Sequence, residues 1–224
     1  MTYPATPTYW LEPTEEVAVG LRRYTSRSTS FECAGGYHHA LVYIHRAPAI
    51  YRTDESSGRR SLTFQPEVPH VAPRWPTVCE EEGCGYRFTD GSDDHWQDWQ
   101  ELIYRRPDTG QEYVLHSSAG ADALGAPSAP PGAMWNAWWM PYNIGPDGLC
   151  LMCRCPNGHD WMVDSEASNC TRPGEPHQCW VRHGDPRSEP VTVDKNGDTC
   201  AAGAGSIQAS DYHGFLQNGV LTAG

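Results

Sequence analysis

Proline and glycine are spread along the whole chain and limit the structures that it can form. The 224 residues include 19 Pro and 22 Gly, and both residue types interrupt regular helices and strands. Short strands joined by turns accommodate this spacing better than long helices do. The nine Trp and eleven Tyr favour the same structure, because large aromatic side chains suit β-sheets. The sequence therefore predicts a mostly β protein with minor helix, built from short antiparallel sheets and hairpins.

Apolar runs and turn sequences place the expected strands. Residues 17–21, 40–44 and 62–64 have the composition of strands. Sequences such as Pro-Asp-Thr-Gly and Asn-Gly between apolar runs are typical of tight turns. They predict hairpins that join residues 101–106 to 111–116, 149–155 to 160–163, and 191–193 to 198–200.

Changes in composition divide the chain into four segments. We expect an extended arm over residues 1–14 and an N-terminal β region over residues 15–76. A zinc-ribbon-like β region follows over residues 77–190, and residues 191–224 form a C-terminal hairpin with a Gly/Ala-rich tail. The third segment includes residues 117–133, which are mostly Ala, Gly, Ser and Pro and which we interpret as a long surface loop.

The charge of the chain excludes several classes of function. The net charge of −12 argues against binding to nucleic-acid phosphates, which requires Lys and Arg to displace counterions. No window approaches the roughly 18 apolar residues of a membrane span. The first residues lack the basic start and apolar stretch of a signal peptide. We therefore expect the protein to stay in a reducing cytoplasm, where Cys residues serve as metal ligands or buried thiols more often than as disulfides.

The first group of Cys residues predicts a zinc knuckle. Cys79 and Cys84 are separated by four residues, a spacing found between ligands of structural zinc sites. Gly83 and Gly85 flank Cys84 and allow the backbone to turn tightly around a metal. One such pair supplies two ligands, so a closed site needs two more.

Three pairs of residues are candidates for the other two ligands. We favour Cys155 and His159, which stand at the two ends of an Asn-Gly turn, and the sequence thus predicts structural Zn²⁺ at Cys79, Cys84, Cys155 and His159. The other candidates are Cys150 with Cys153, Cys153 in place of Cys155, and Cys170 with Cys179 or His177. The competing interpretation is that these thiols are buried and inert.

Catalytic motifs are not recognisable in the sequence. His-Glu-x-x-His and Gly-x-Ser-x-Gly do not occur. Cys33, His38 and His39 are close in sequence, but adjacent residues of a strand point to opposite faces, so we interpret them as a polar rim. The pattern favours a protein that is not an enzyme.

A dense aromatic stretch contains Trp135, Trp138 and Trp139. Their spacing of three and four residues fits one face of a short helix, where they would provide a platform for binding a partner. Burial of the three side chains in the core is the commoner outcome for such a stretch.

Several motifs resemble a known group of proteins. These are Cys-x4-Cys-Gly-Tyr-x-Phe (residues 79–88), Pro-Gly-Ala-Met-Trp (131–135), Ala-Ser-Asn-Cys-Thr (167–171), Cys-Trp-Val-Arg-His-Gly (179–184) and Thr-Val-Asp-Lys-Asn-Gly (192–197). Together they resemble a family of uncharacterised proteins encoded by actinobacterial phages and prophages. The resemblance covers most of the chain and implies a role in the virion or inside the infected host cell, without implying an activity.

These observations predict a non-enzymatic phage structural or interaction protein, stabilised by structural zinc and associated with the head or tail of the virion. Its expected partners are other protein chains, including virion proteins, and not membranes or nucleic acid. Its expected location is the cytoplasm of the bacterial host or the virion itself. The alternative is a zinc-dependent hydrolase or nucleic-acid-processing enzyme, which would use an open zinc near His95 or His183.

Overall fold

The regular structure of the chain is almost entirely β. The structure is a computed structural model that describes residues 3–25, 38–57, 60–63, 76–88, 94–116, 124–140, 143–175, 177–202 and 205–224. Several small sheets, mostly antiparallel, contain nearly all of its regular elements. This confirms the predicted fold class. Within the described residues, no helix is long and apolar enough to cross a membrane.

Most strands are only two to six residues long, as the density of Pro and Gly predicts. The described residues contain β1 (Thr6–Pro7), β2 (Tyr9–Trp10), β3 (Glu12–Thr25), β4 (His39–Pro48), β5 (Tyr51–Thr53), β6 (Arg60–Leu62), β7 (Asp94–Arg105), β8 (Glu112–Val114), β9 (Ala133–Asn136), β10 (Leu151–Arg154), β11 (Asp160–Met162), β12 (Val181–His183), β13 (Thr192–Asp194), β14 (Ile207–Ala209), β15 (Tyr212–Gln217) and β16 (Val220–Ala223).

The chain divides into two compact units that do not follow the four predicted segments. The C-terminal unit consists of Met1–Glu12, Thr53–Arg60 and Pro130–Gly224, and the N-terminal unit consists of Pro13–Arg52 and Ser61–Ala129. The first residues of the chain belong to the C-terminal unit because β1 pairs with β16 and β2 pairs in parallel with β9. The N-terminal arm is therefore part of two sheets.

The N-terminal unit is built around a four-stranded sheet in the order β4-β3-β7-β8. The hairpin predicted around residues 107–110 is confirmed, with Ile103 of β7 opposite Val114 of β8. Both side chains are fully buried and pack with Ala18 of β3 and with Ala126. Ala126 belongs to the segment that we predicted to be a surface loop over residues 117–133. Ala126 and Ala129 are buried, and backbone hydrogen bonds join Pro127 and Ala129 to Val114 of β8, so this part of the segment packs against the sheet. Residues 117–123 lie outside the described part of the chain.

The C-terminal unit contains two four-stranded sheets, β1-β16-β15-β14 and β11-β10-β9-β2, and the hairpin β12-β13. The hairpin predicted across the Asn-Gly turn is confirmed, because β10 pairs antiparallel with β11. The third predicted hairpin is wrong. β13 pairs with β12 upstream, and Thr199 forms a parallel bridge with Gln178.

A buried ionic network joins two loops of the C-terminal unit to β12. The Arg182 guanidinium donates to Asp147 at 2.6 and 2.8 Å and to Asp164 at 3.1 Å. The Arg182 and Asp164 side chains are only 2% and 3% exposed. Burial raises the pKa of the Asp164 carboxyl, and the Arg182 guanidinium opposes that shift. The guanidinium therefore compensates two carboxylates that are otherwise poorly solvated.

Replacing Arg182 should destabilise the protein strongly. We expect Arg182→Met to lower the free energy of unfolding by about 3–5 kcal/mol, because a buried carboxylate loses its partner. Arg187→Met is the matched control, since Arg187 pairs with Asp185 on the surface and should cost less than about 1 kcal/mol. Urea unfolding of both variants measures the difference, and equal losses would contradict the role assigned to Arg182.

A buried carboxyl in the N-terminal unit should make stability depend on pH. Glu101 of β7 is 7% exposed and accepts a hydrogen bond from the Tyr43 hydroxyl. Burial raises its pKa from 4.5 to about 7, with Glu80 adding to the shift and Tyr43 and Arg22 opposing it. The folded state therefore binds more protons than the unfolded state between pH 4.5 and 7. Stability from this group is present below that window and is lost as the pH rises through it.

We expect Glu101→Gln to remove this dependence, because the amide has no charge to bury and still accepts from Tyr43. We compare the free energy of unfolding of the variant with that of the unmodified protein. Between pH 4.5 and a pH above 7, this comparison should shift in favour of the variant by up to the order of 3 kcal/mol. Glu112→Gln is the control, since hydrogen bonds from Arg46 lower the pKa of Glu112 and its effect should be constant from pH 5 to 8. Urea unfolding across this range tests the prediction, which fails if Glu101→Gln and the unmodified protein lose stability in parallel.

Candidate metal centres

Two groups of Cys and His side chains converge among the described residues. The C-terminal cluster consists of Cys170, His177, Cys179 and Cys200, and the N-terminal cluster consists of His38, Cys79 and Cys84. Within each cluster all donor atoms lie within 4.8 Å of one another. Each cluster could therefore hold one metal ion.

Two separate segments build the C-terminal cluster. Cys170, His177 and Cys179 lie between β11 and β12, and Cys200 lies between β13 and β14. The bridge between Gln178 and Thr199 brings the two segments side by side. Further hydrogen bonds join the segments where Ala201 N–H donates to Thr171 Oγ1 at 3.0 Å and where Arg172 donates to Asp198 at 2.7 Å.

The distances within the C-terminal cluster match those between ligands of one tetrahedral ion. His177 Nε2 lies 3.3 Å from Cys170 Sγ and 3.8 Å from Cys179 Sγ. Zinc bonds of about 2.3 Å to sulfur and about 2.0 Å to nitrogen at a tetrahedral angle place S and N about 3.6 Å apart. The observed separations lie on either side of this value. His177 Nδ1 is 2.9 Å from the Glu175 carbonyl, an arrangement that leaves the Nε2 lone pair for a metal.

The electrostatics of the cluster favour a shared cation. Hydrogen bonds from the backbone N–H groups of Thr171 and Ala202 lower the pKa of Cys200 to about 5. Burial raises the pKa of Cys179 to about 11. A thiolate at Cys200 therefore opposes ionisation of the neighbouring thiols unless a cation lies among them. The backbone N–H of Arg172 also points at Cys170 Sγ, 3.4 Å away.

One lysine holds the backbone of two ligand residues together. Lys195 Nζ donates to the carbonyl groups of Cys179 at 2.5 Å, Cys200 at 2.8 Å and Ala202 at 2.9 Å. It is the only lysine in the sequence. The compact ammonium group can reach three carbonyl groups that converge on one point, which suits it better than a planar guanidinium.

The N-terminal cluster contains the knuckle predicted from the sequence. Val78 and Arg87 form an antiparallel bridge that encloses the two Cys residues. Cys79 N–H donates to the carbonyl of Tyr86 at 2.8 Å. Gly83 and Gly85 adopt φ values of 76° and 66°, where other residues are strained. His38 was not predicted as a metal ligand, because we interpreted it as part of a polar rim.

The four ligands that we favoured from the sequence are divided between the two units. Cys155 and His159 are in the C-terminal unit, while Cys79 and Cys84 are in the N-terminal unit. Cys155 is fully buried in the core, whereas His159 is exposed on the far side of its turn. Neither residue belongs to one of the clusters found among the described residues.

The alternatives named from the sequence have different outcomes. Cys150 and Cys153 are fully buried outside both clusters, and burial raises the pKa of both thiols. Cys170, Cys179 and His177 do come together, and Cys200 joins them. Cys200 was not predicted as a ligand, because we expected residues 198–200 to form a strand of a hairpin.

The other three residues weighed from the sequence are His183, Cys33 and His95. His183 is exposed on β12, and its Nε2 lies 2.9 Å from Asp194 Oδ1. Cys33 and the His95 side chain lie outside the part of the chain that the structure describes.

The tryptophans do not lie on one helix face. Trp135 is part of β9 and only 1% exposed, with the Arg154 guanidinium 5.4 Å from the ring centre. Because Trp135 is a core residue, it cannot also present a surface to a partner. Trp138 and Trp139 lie in the following turn, are partly exposed and pack edge to face at 5.4 Å.

Comparison with known proteins gives no further identification. No protein-family model matches the sequence, and no curated protein and no solved structure matches the chain.

Changing Lys195 should weaken metal binding without removing a ligand. We expect Lys195→Met to lower metal affinity of the C-terminal cluster by about 10–100-fold, because the carbonyl groups of Cys179 and Cys200 lose the group that positions them. Lys195→Arg keeps the charge and should restore only part of this affinity. Competition with a chromogenic chelator measures the change, and unaltered affinity in Lys195→Met would refute the positioning role.

Proposed function

We propose that this chain is a non-enzymatic structural or interaction protein whose C-terminal unit is stabilised by one Zn²⁺. Its ligands are Cys170, His177, Cys179 and Cys200. The observation that supports this proposal is the convergence of these four donor atoms within 4.8 Å. Three thiolates and an imidazole form one of the ligand sets typical of structural zinc.

The chemistry of the donors favours zinc over other common cations. Thiolates and imidazoles are soft ligands that suit zinc, whereas Ca²⁺ and Mg²⁺ prefer oxygen. In a tetrahedral site, four protein donors leave no position for a water molecule. Catalytic zinc normally retains such a position, so the C-terminal cluster is suited to stabilising the fold and not to hydrolysis.

The location of the cluster agrees with a stabilising role. Cys179 and Cys200 are 2% and 4% exposed and belong to the same core as Trp180 and Val193. The described residues of the segment 163–180, which includes the other two donors, contain no strand beyond an isolated bridge. An ion bound here would fasten this irregular segment to the core of the unit.

We propose that the protein acts by binding other protein chains, in the virion or in the host cell of an actinobacterial phage. The resemblance of its motifs to phage and prophage proteins supports this setting. The net charge of −12 supports protein over nucleic acid as the partner. Trp138 and Trp139 offer a partly exposed aromatic surface of the kind that is common in protein interfaces. Mass spectrometry of purified particles tests the virion setting, which fails if the chain is absent from them.

The proposed zinc should be lost with one of its ligands. We expect Cys200→Ser to contain one zinc per chain less than the unmodified protein and to melt at a lower temperature. Cys150→Ser is the matched control, because it changes a buried thiol of the same unit outside the cluster and should retain all of the zinc. Elemental analysis and calorimetry measure both effects. Equal zinc content in Cys200→Ser and the unmodified protein would rule out the proposed ligand set.

A further inference from the structure

The N-terminal unit has its own convergence of donor atoms. His38, Cys79 and Cys84 bring one imidazole and two thiols within 4.8 Å of one another. We infer that these residues bind a second Zn²⁺, so that each of the two units carries one ion. This inference concerns only the N-terminal unit and does not depend on the ion proposed for the C-terminal cluster.

The backbone around the two thiols has the form of a metal knuckle. The chain turns between Cys79 and Cys84, and the Cys84 N–H donates to the Glu81 carbonyl at 3.1 Å. The backbone N–H of His39 points at Cys79 Sγ, 3.4 Å away. The thiolate is the form of Cys that binds metal.

The imidazole of His38 is fixed in the orientation that the site requires. Its ring stacks on Tyr86 with 3.7 Å between ring centres and an angle of 2° between planes. Its backbone is bound to Thr25, whose N–H donates to the His38 carbonyl at 3.0 Å. His38 Nδ1 then lies 3.1 Å from Cys84 Sγ, and the residue is 2% exposed.

A simple hydrogen bond between thiol and imidazole explains only part of this arrangement. It accounts for Cys84 beside His38, but not for Cys79 Sγ in the same group. A cation explains why both sulfur atoms and the nitrogen face one point. These residues supply three of the four ligands that a tetrahedral zinc takes.

Among the described residues, the apolar packing around the knuckle is small. The apolar cluster at the knuckle consists of Ala40, Cys79 and Phe88, with Cys84 and Tyr86 packed against it. Residues 76–88 form only one isolated bridge and no strand. Small regions with so little core commonly depend on a metal for their fold.

Metal content tests the inference and separates it from the proposed function. We expect two zinc ions per chain in the unmodified protein, one in Cys84→Ser, one in Cys200→Ser and none in the double variant. His38→Ala should lose one ion, while His45→Ala, an exposed His on the strand that follows His38, should lose none. If Cys84→Ser and His38→Ala both retain the full zinc content, the second site does not exist, whatever the result for Cys200→Ser.

Thiol labelling of the unmodified protein avoids variants that fail to fold. Cys84 and Cys170 are both partly exposed, so without metal each should react with an alkylating reagent. We expect chelator to speed the labelling of both residues, as mapped by peptide mass spectrometry, while fully buried Cys153 stays protected. If chelator accelerates labelling only at Cys170, the second site is refuted and the proposed function stands. Acceleration only at Cys84 supports the second site and counts against the proposed function.

Discussion

The convergence of two irregular segments on one cluster of donors is the constraint on which the C-terminal unit depends. Ordering each residue of such segments costs about 1–2 kcal/mol of backbone entropy, which strands recover through ladder hydrogen bonds and shared burial. The described residues of the segment 163–180 have almost no strand pairing. Their compensation comes from Cys179 and Cys200, which are core residues and candidate ligands at the same time. Packing and a bound metal ion would therefore stabilise the same few residues.

The basic residues differ in the groups that they bind. Of the 16 Lys and Arg residues only Lys195 is a lysine. Several arginines of the described residues form forked pairs with carboxylates, as between Arg154 and Asp160 and between Arg182 and Asp147. Lys195 instead binds three carbonyl groups, including those of two ligand residues. In a chain of net charge −12, this places a cation beside the backbone that would carry the thiolates.

Local sequence predicted the fold wherever a turn determined the pairing. The Asn-Gly turn before His159 produced the expected hairpin because Gly158 readily adopts its φ of 83°. The same reasoning failed after β13, although Asp194 Oδ1 accepts from Asn196 N–H as a turn requires. There β12 upstream supplies the pairing partner, and residues 198–200 lie against the ligand segment instead. Competition between a local and a distant partner is not visible in the turn itself.

The candidate metal ligands also show that local sequence does not reveal distant partners. Spacing identified Cys79 with Cys84, since both belong to one turn. Spacing could not identify His38 as the third donor, because His38 precedes β4 and is distant from both Cys residues in the sequence. Cys155 and His159 met the same spacing criterion, yet alternation directs Cys155 into the core and the turn leaves His159 in solvent. The spacing of two residues thus shows whether they can lie in the same turn. Whether two turns can bind one ion depends on where each side chain is buried.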